Sequence, residues 1–147
     1  LLVSARGSSG TWGVLVRSDE DEAILYQHET GVTSNRLDLL AAINALYRVP
    51  EGGHVAIYTR SDYLRNGATG WINGWRSKGW VTKAGEPVKN RDLWEELDEL
   101  SRHRRVEWPA IKEGELDSDF EGFATRLQEM ISDDGERARG SADGYAE

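Results

Sequence analysis

Cysteine is absent from this chain of 147 residues, which also contains one methionine, two phenylalanines, three prolines and no long apolar run. Without cysteine there can be neither a disulfide framework nor a thiolate metal site, as is common in a reducing compartment. Without about eighteen consecutive apolar residues, no membrane span is predicted. We therefore expect a cytoplasmic protein without membrane contact, in which six tryptophans and five tyrosines supply the large apolar surfaces.

Positive charge is scarce outside the middle of the chain, whose net charge is −8. Residues 1–59 contain 4 Lys/Arg against 7 Asp/Glu, and residues 113–147 contain 3 against 11. Residues 60–112 contain 11 against 8, a net charge of +3. Because an acidic surface repels phosphates, any contact with a polyanion is expected in the middle segment.

Apolar periodicity and turn signals predict a mixed sheet covered by helices, an α/β or α+β layer fold. Strands are predicted at 1–4, 12–16, 23–28, 54–59 and 106–111, and helices at 34–47, 61–67, 91–100 and 119–131. Beyond Ser132 there is almost nothing to bury. The interpretation is one domain over 1–131 and an acidic, disordered tail over 132–147.

Aromatic and basic residues alternate in one stretch of the positively charged segment. The tryptophans are Trp71, Trp75 and Trp80, and the nearby cations are Arg76, Lys78, Lys83, Lys89 and Arg91. Flat rings can stack on bases or sugars while cations contact phosphates. The alternative is that the tryptophans pack helices together and the charges are merely solvated.

Residues 33–43, TSNRLDLLAAI, and the tryptophan-containing segments 63–75 and 79–94 together resemble bacterial type 1 ribonuclease H. Residues 33–43, TSNRLDLLAAI, are similar to the family signature TNNRMELMAAI. Residues 63–75 are similar to YVRQGITxWIxxW, and residues 79–94 to GW…PVKNxDLW. The resemblance implies the ribonuclease H-like fold, a five-stranded mixed sheet with helices on both faces.

The resemblance also implies cleavage of the RNA strand of an RNA–DNA hybrid by two divalent metal ions, held by four carboxylates. Of the four corresponding positions, only Asp38 keeps a carboxylate. The first-strand position falls on Ser4 or Ala5, the fourth-strand position on Arg60, and the last-helix position on Ala124. We therefore expect no bound metal, and Mg²⁺ or Mn²⁺ only if the domain is active.

Arg60 is the most consequential of these departures, because a guanidinium is always charged. At about 4 Å from a divalent ion it would repel that ion by roughly 8 kcal/mol at an effective dielectric constant near 20. We hypothesise that Arg60 pairs with Asp38 and fills the metal position. A rescue would need the acidic run Glu113, Glu115, Asp117, Asp119 and Glu121, whose alternative role is a solvated helix start.

Positions associated with binding are better retained than those associated with cleavage. The resemblance implies contacts with the DNA strand at Thr33, Ser34, Asn35, Arg36, Trp71, Trp75, Lys78, Lys83, Lys89 and Trp94. We predict an inactive domain that binds RNA–DNA hybrid or another nucleic acid as a module of a larger complex with protein partners. The alternatives are a scaffold subunit that uses the fold for protein contacts, and a divergent active ribonuclease H.

Overall fold

A computed structural model describes the backbone of residues 2–8 and 10–145, and the side chains of residues 10–133. The strands are β1 Leu2–Ser8, β2 Thr11–Arg17, β3 Glu22–His28, β4 His54–Thr59 and β5 Arg105–Glu107. The helices are α1 Ser34–Tyr47, α2 Asp62–Asn66, α3 Ile72–Ser77, α4 Arg91–Arg102 and α5 Asp117–Tyr145. A π-helical turn, Gly67–Trp71, joins α2 to α3.

The five strands form one mixed sheet in the order β3-β2-β1-β4-β5. Antiparallel pairs join β1 to β2 and β2 to β3. Parallel pairs join β1 to β4 and β4 to β5. The five-stranded mixed sheet predicted from the sequence is therefore confirmed.

Helix α1 is the centre of the core. It packs against β1 and β2 on one side and against α4 on the other. Buried residues occur all around it: Leu37, Leu39, Ala41, Ala42, Ile43, Ala45 and Leu46. A helix that is apolar on all sides must be covered on all sides, which explains why α1 lies between the sheet and a second helix.

Two elements differ in length from the sequence prediction. Strand β5 ends at Glu107 rather than near residue 111. Pro109 has no backbone N–H to donate to a neighbouring strand, which accounts for the early end of β5.

Helix α5 continues through residues 132–145, for which we predicted disorder. The composition of this segment does not explain the extension, because glycine and aspartate, which have low helix propensity, recur in it.

The chain divides into two compact units, residues 1–112 and residues 113–147. The first contains the whole sheet and helices α1 to α4, and the second contains α5. On one face of α5 the buried residues are Phe120, Phe123 and Leu127, which follow helical spacing. Within the described part of the chain, no helix has both the length and the apolar character needed to cross a bilayer.

Candidate nucleic-acid interface and the carboxylate positions

The parallel pairing of β1 with β4 ends just before Arg60. Ala5 is opposite Thr59 in the last pair, and Arg6 and Arg60 are the residues that follow these two along the chain. Strand β1 runs on to Ser8, whereas the sequence prediction ended it at Ser4 and treated Gly7 and Ser8 as a loop. Sequence reasoning therefore missed Arg6. The side chains of Ser4, Ala5 and Arg6 lie outside the described residues.

Asp38 lies in the first half of α1, and Arg60 directly follows β4. Thr59, the last residue of β4, is buried, and Arg60, the next residue, is exposed. Ser61 then caps α2, its Oγ accepting a hydrogen bond from the backbone N–H of Leu64 at 3.0 Å. Asp38 is half-buried near the start of α1. The hypothesised pair between Arg60 and Asp38 stays a prediction.

Ala124, where we expect the fourth carboxylate position, is half-buried on α5 in the second unit. Alanine offers no oxygen ligand, and Mg²⁺ requires oxygen ligands. Across the side chains that the structure describes, no group of three or more histidine, aspartate or glutamate residues is arranged to hold a metal ion. Among the residues at the positions that the resemblance assigns to carboxylates, only Asp38 carries one.

The start of α1 combines exposed polar groups with a structural ion pair. Thr33 and Ser34 are exposed, and Thr33 Oγ1 caps the helix by accepting from the backbone N–H of Arg36 at 3.3 Å. Asn35 is half-buried beside them. Arg36, however, points its guanidinium toward α4, where it donates to both carboxylate oxygens of Asp92 at 3.0 and 2.8 Å. Four residues at this helix start were predicted to contact nucleic acid. Three of them, Thr33, Ser34 and Asn35, are polar residues outside the ion pair.

Five aromatic rings form a continuous cluster around α3, which we call the aromatic cluster: Tyr63, Trp71, Trp75, Trp80 and Trp94. Ring centroids in it are 5.3 to 6.3 Å apart, and the rings meet edge-to-face or tilted. Such pairs contribute about 0.5–1.5 kcal/mol each beyond their buried area. The cluster joins α2, α3 and α4, so the tryptophans have a packing role.

The two ends of the aromatic cluster differ in exposure. Trp94 is fully buried, and its indole N–H donates to the hydroxyl of Tyr63 at 2.9 Å. Trp71 at the other end is 44% exposed, and Trp75 is half-buried. The predicted nucleic-acid contact at Trp94 is therefore wrong, because a buried ring cannot stack on a base. The same prediction at Trp71 and Trp75 is compatible with their positions.

A groove of about 580 Å³ runs beside the exposed end of the cluster. Its lining includes Trp71 and Trp75 on one side and Lys78 and Lys83 nearby. Both lysines are exposed, as is Lys89. Lys78 and Lys83 lie in the groove lining, and Lys89 is not part of it. The lining of the groove therefore brings together two indole rings and two lysine side chains.

The chain also matches known proteins. Residues 3–114 match a family model described as RNase H. Ribonuclease HI of Xylella fastidiosa (strain 9a5c) is 46% identical over 112 residues, which are 76% of this chain and 75% of that protein. Ribonuclease H of Acidovorax sp. (strain JS42) is 48% identical over 105 residues, 70% of this chain and 71% of that protein. The chain belongs to the ribonuclease H family.

Solved structures agree on the fold. The crystal structure of LC9-RNase H1, described as a type 1 RNase H with the type 2 active-site motif, has a TM-score of 0.59 and 26% identity. The match covers 76% of this chain and 63% of that one. The solution structure of the PFV RNase H domain, at 16% identity, has a TM-score of 0.52 over 74% of this chain and 76% of that one. The predicted ribonuclease H-like fold is confirmed.

Proposed function

We propose that this ribonuclease H domain binds RNA–DNA hybrid without cleaving it. Hybrid binding is supported by the groove whose lining includes Trp71, Trp75, Lys78 and Lys83. Aromatic faces stack on bases or sugars, and ammonium groups neutralise phosphates. The groove lies in the segment of the chain that is positively charged, whereas the rest of the chain is acidic.

The proposal that the domain does not cleave the hybrid depends on which residues occupy the four carboxylate positions. Catalysis by two metals needs several carboxylates around the ions, because each ion must be held and its charge balanced. At the positions that the resemblance assigns to them, this chain has Asp38 but also Arg60 and Ala124. A guanidinium at Arg60 would oppose a cation where the resemblance implies a carboxylate.

The relatives of this chain are named ribonuclease HI and ribonuclease H, which supports a nucleic-acid ligand. That this chain does not cleave the ligand is our proposal. Retention of the family fold and the aromatic–basic groove favours retained binding. Protein partners within a larger complex, and a cytoplasmic location, also remain proposals. A purely protein-binding scaffold makes a different prediction, because it needs no salt-dependent contact with phosphates.

Hybrid binding can be measured by fluorescence anisotropy with a labelled RNA–DNA duplex at several salt concentrations. Each phosphate contact contributes about 0.9 to the slope of log affinity against log salt. Wild type should bind with a negative slope, and Lys78→Ala with Lys83→Ala should reduce the slope by nearly two. The matched control is Arg105→Ala, which removes an exposed cation from β5. Absence of salt-dependent binding by the wild type would overturn the proposal and favour the scaffold.

A further inference from the structure

Asp98 on α4 is the one charged residue that is buried among the side chains that the structure describes, with an exposed fraction of 5%. Arg76 of α3 donates to both oxygens of its carboxylate. We infer that Asp98 is a positioning residue for hybrid binding: by holding Arg76, it fixes α3 so that Trp75 and Lys78 stay side by side in the groove lining. The inference rests on the proposed hybrid binding and adds to it a residue outside the groove lining.

The contact between Arg76 and Asp98 is bidentate. Nε of Arg76 donates to Oδ2 of Asp98 at 3.2 Å, and a terminal nitrogen of the same guanidinium donates to Oδ1. Arg102, one turn later on α4, donates to Oδ2 at 3.4 Å. A planar guanidinium that is held at two oxygens has a fixed orientation as well as a fixed distance. The pair therefore restrains the rotation of α3 relative to α4 as well as its separation from α4.

Helix α3 and the turn before it present two different faces. The face that lines the groove has residues at helical spacing: Trp71, Gly74, Trp75 and Lys78. Arg76 lies on another face, where it lines a second cleft of about 390 Å³ together with Asn73 and Asp98. The guanidinium of Arg76 is therefore used to hold α3 from behind, while the groove residues on the other face are left to contact the ligand.

Helix α3 is short and depends on contacts outside itself. It spans Ile72–Ser77, six residues, between the π-helical turn and the segment that contains Gly79, whose φ is 73°. Helices of this length are unstable in isolation, so tertiary contacts must hold them. Contacts with α4 include the ring of Trp75 against that of Trp94 at 5.3 Å and the ion pair of Arg76 with Asp98. Loss of the ion pair should loosen α3 and with it the fixed orientation of Trp75 and Lys78.

Substitutions at the two ends of the pair separate positioning from charge. Asp98→Asn removes a negative charge, and Arg76→Ala removes a positive one. If charge alone mattered, or if Arg76 itself contacted a phosphate, Asp98→Asn would strengthen hybrid binding and Arg76→Ala would weaken it. Positioning predicts that both variants weaken binding. It also predicts that the double variant binds no more weakly than the weaker single variant, because the two residues act through one contact.

The assay is fluorescence anisotropy with the labelled RNA–DNA hybrid over a salt series, at a temperature below the melting transition of every variant. Asp98→Asn and Arg76→Ala should each weaken binding about tenfold, the scale of one lost stacking contact. Each should also reduce the salt slope by about 0.9, as Lys78 loses its phosphate contact. Arg76→Lys keeps the charge but cannot form the bidentate contact, so it should weaken binding as well. Glu95→Gln removes the same charge from α4, at the partly exposed pair with Arg91, and should not weaken binding.

A second readout separates positioning from a general loss of stability. Val55→Ala truncates a buried residue of β4, so it should lower the stability of the core and leave hybrid affinity unchanged. Hydrogen exchange in the free protein should be faster at the backbone amides of α3 in Asp98→Asn than in the wild type. Exchange at the amides of β4 should be the same in both proteins.

The outcomes distinguish the inference from the proposed function. If the wild type binds hybrid in a salt-dependent way and Asp98→Asn binds as tightly or more tightly, the inference is wrong and the proposed function stands. Unchanged exchange at α3 in Asp98→Asn would also overturn the inference, whether or not hybrid binds. If the wild type shows no salt-dependent binding, the proposed function fails and the inference fails with it.

Discussion

Arg36 and Asp92 form a bidentate ion pair that joins the first turn of α1 to the first turn of α4. The two N–O distances are 3.0 and 2.8 Å, and a third hydrogen bond links Arg36 to the side chain of Asn90 at 3.1 Å. Asn90 in turn donates to the hydroxyl of Tyr63 at 3.0 Å. The family resemblance implies that Arg36 contacts nucleic acid. In the structure its guanidinium instead joins helices α1 and α4.

We predict that Arg36→Ala lowers the free energy of unfolding by about 1–2 kcal/mol. The estimate combines a partly exposed ion pair with the loss of a hydrogen bond to Asn90. Urea denaturation at neutral pH measures this change. The control is Arg17→Ala, which removes the exposed pair with Glu22 and should cost less. A variant of Arg36 with unchanged stability and a tenfold loss of hybrid affinity would contradict the structural role.

The same pair predicts a pH dependence. Hydrogen bonds from Arg36 hold the pKa of Asp92 below its ordinary value. A carboxyl group with a lowered folded-state pKa adds stability above its unfolded-state pKa, and this stability is lost as the pH falls through the folded-state pKa. Asp92→Asn should therefore destabilise the protein near neutral pH, and this effect should be lost progressively as the pH falls below the ordinary pKa of an aspartate. Denaturation curves at several pH values test this, and a constant difference would contradict it.

Gly67 is needed because it lies directly against the ring of Trp94. A Cβ built at Gly67 would be 2.1 Å from Cη2 of that tryptophan. We predict that Gly67→Ala destabilises the protein by about 1–3 kcal/mol, the range for overpacking in a core. Gly74→Ala is the matched control in the next helix, since its Cβ would meet nothing within 4 Å. That control should raise stability by about 0.5–1 kcal/mol. Equal effects of the two variants in thermal melts would contradict the packing argument.

Substitutions of Trp71 and Trp94 should distinguish the contribution of the aromatic cluster to hybrid binding from its contribution to the stability of the fold. Trp94→Ala removes a fully buried ring and is expected to cost about 3–5 kcal/mol of stability. Trp71→Ala removes a ring that is 44% exposed, so it should cost much less stability but weaken hybrid binding by about 1–3 kcal/mol through lost stacking. Calorimetric melts and anisotropy on both variants test the distinction. Unchanged hybrid affinity in Trp71→Ala would show that the Trp71 ring does not contact the hybrid.

The sequence predicted the sheet and most of the helices, because their signals are local. The helix cap at Thr33, the β-branched run at His54–Thr59 and the helical spacing after Asn90 each depend on near neighbours. The burial of Trp94 is not local. Its position against Gly67 and Tyr63 depends on how α2 and α4 pack, and the sequence shows only that a tryptophan is present.

The candidate site was predictable only where a residue's role does not depend on strand register. Arg60 follows directly after an obvious strand, so its place was correctly anticipated. Arg6 was missed because glycine and serine weaken a strand signal, and Gly7 and Ser8 were assigned to a loop. The register of β1 against β4 depends on how the strands pair in three dimensions, and the pairing of Ala5 with Thr59 supplies it.

Cleavage of a labelled RNA–DNA hybrid tests the central claim most directly. The wild type is incubated with hybrid in Mg²⁺ and in Mn²⁺, beside the triple variant Arg6→Asp, Arg60→Asp, Ala124→Asp, which returns carboxylates to these positions. Our account predicts no cleavage by the wild type in either metal, together with retained binding of the hybrid. Metal-dependent cleavage by the wild type that is abolished by Asp38→Ala would contradict it.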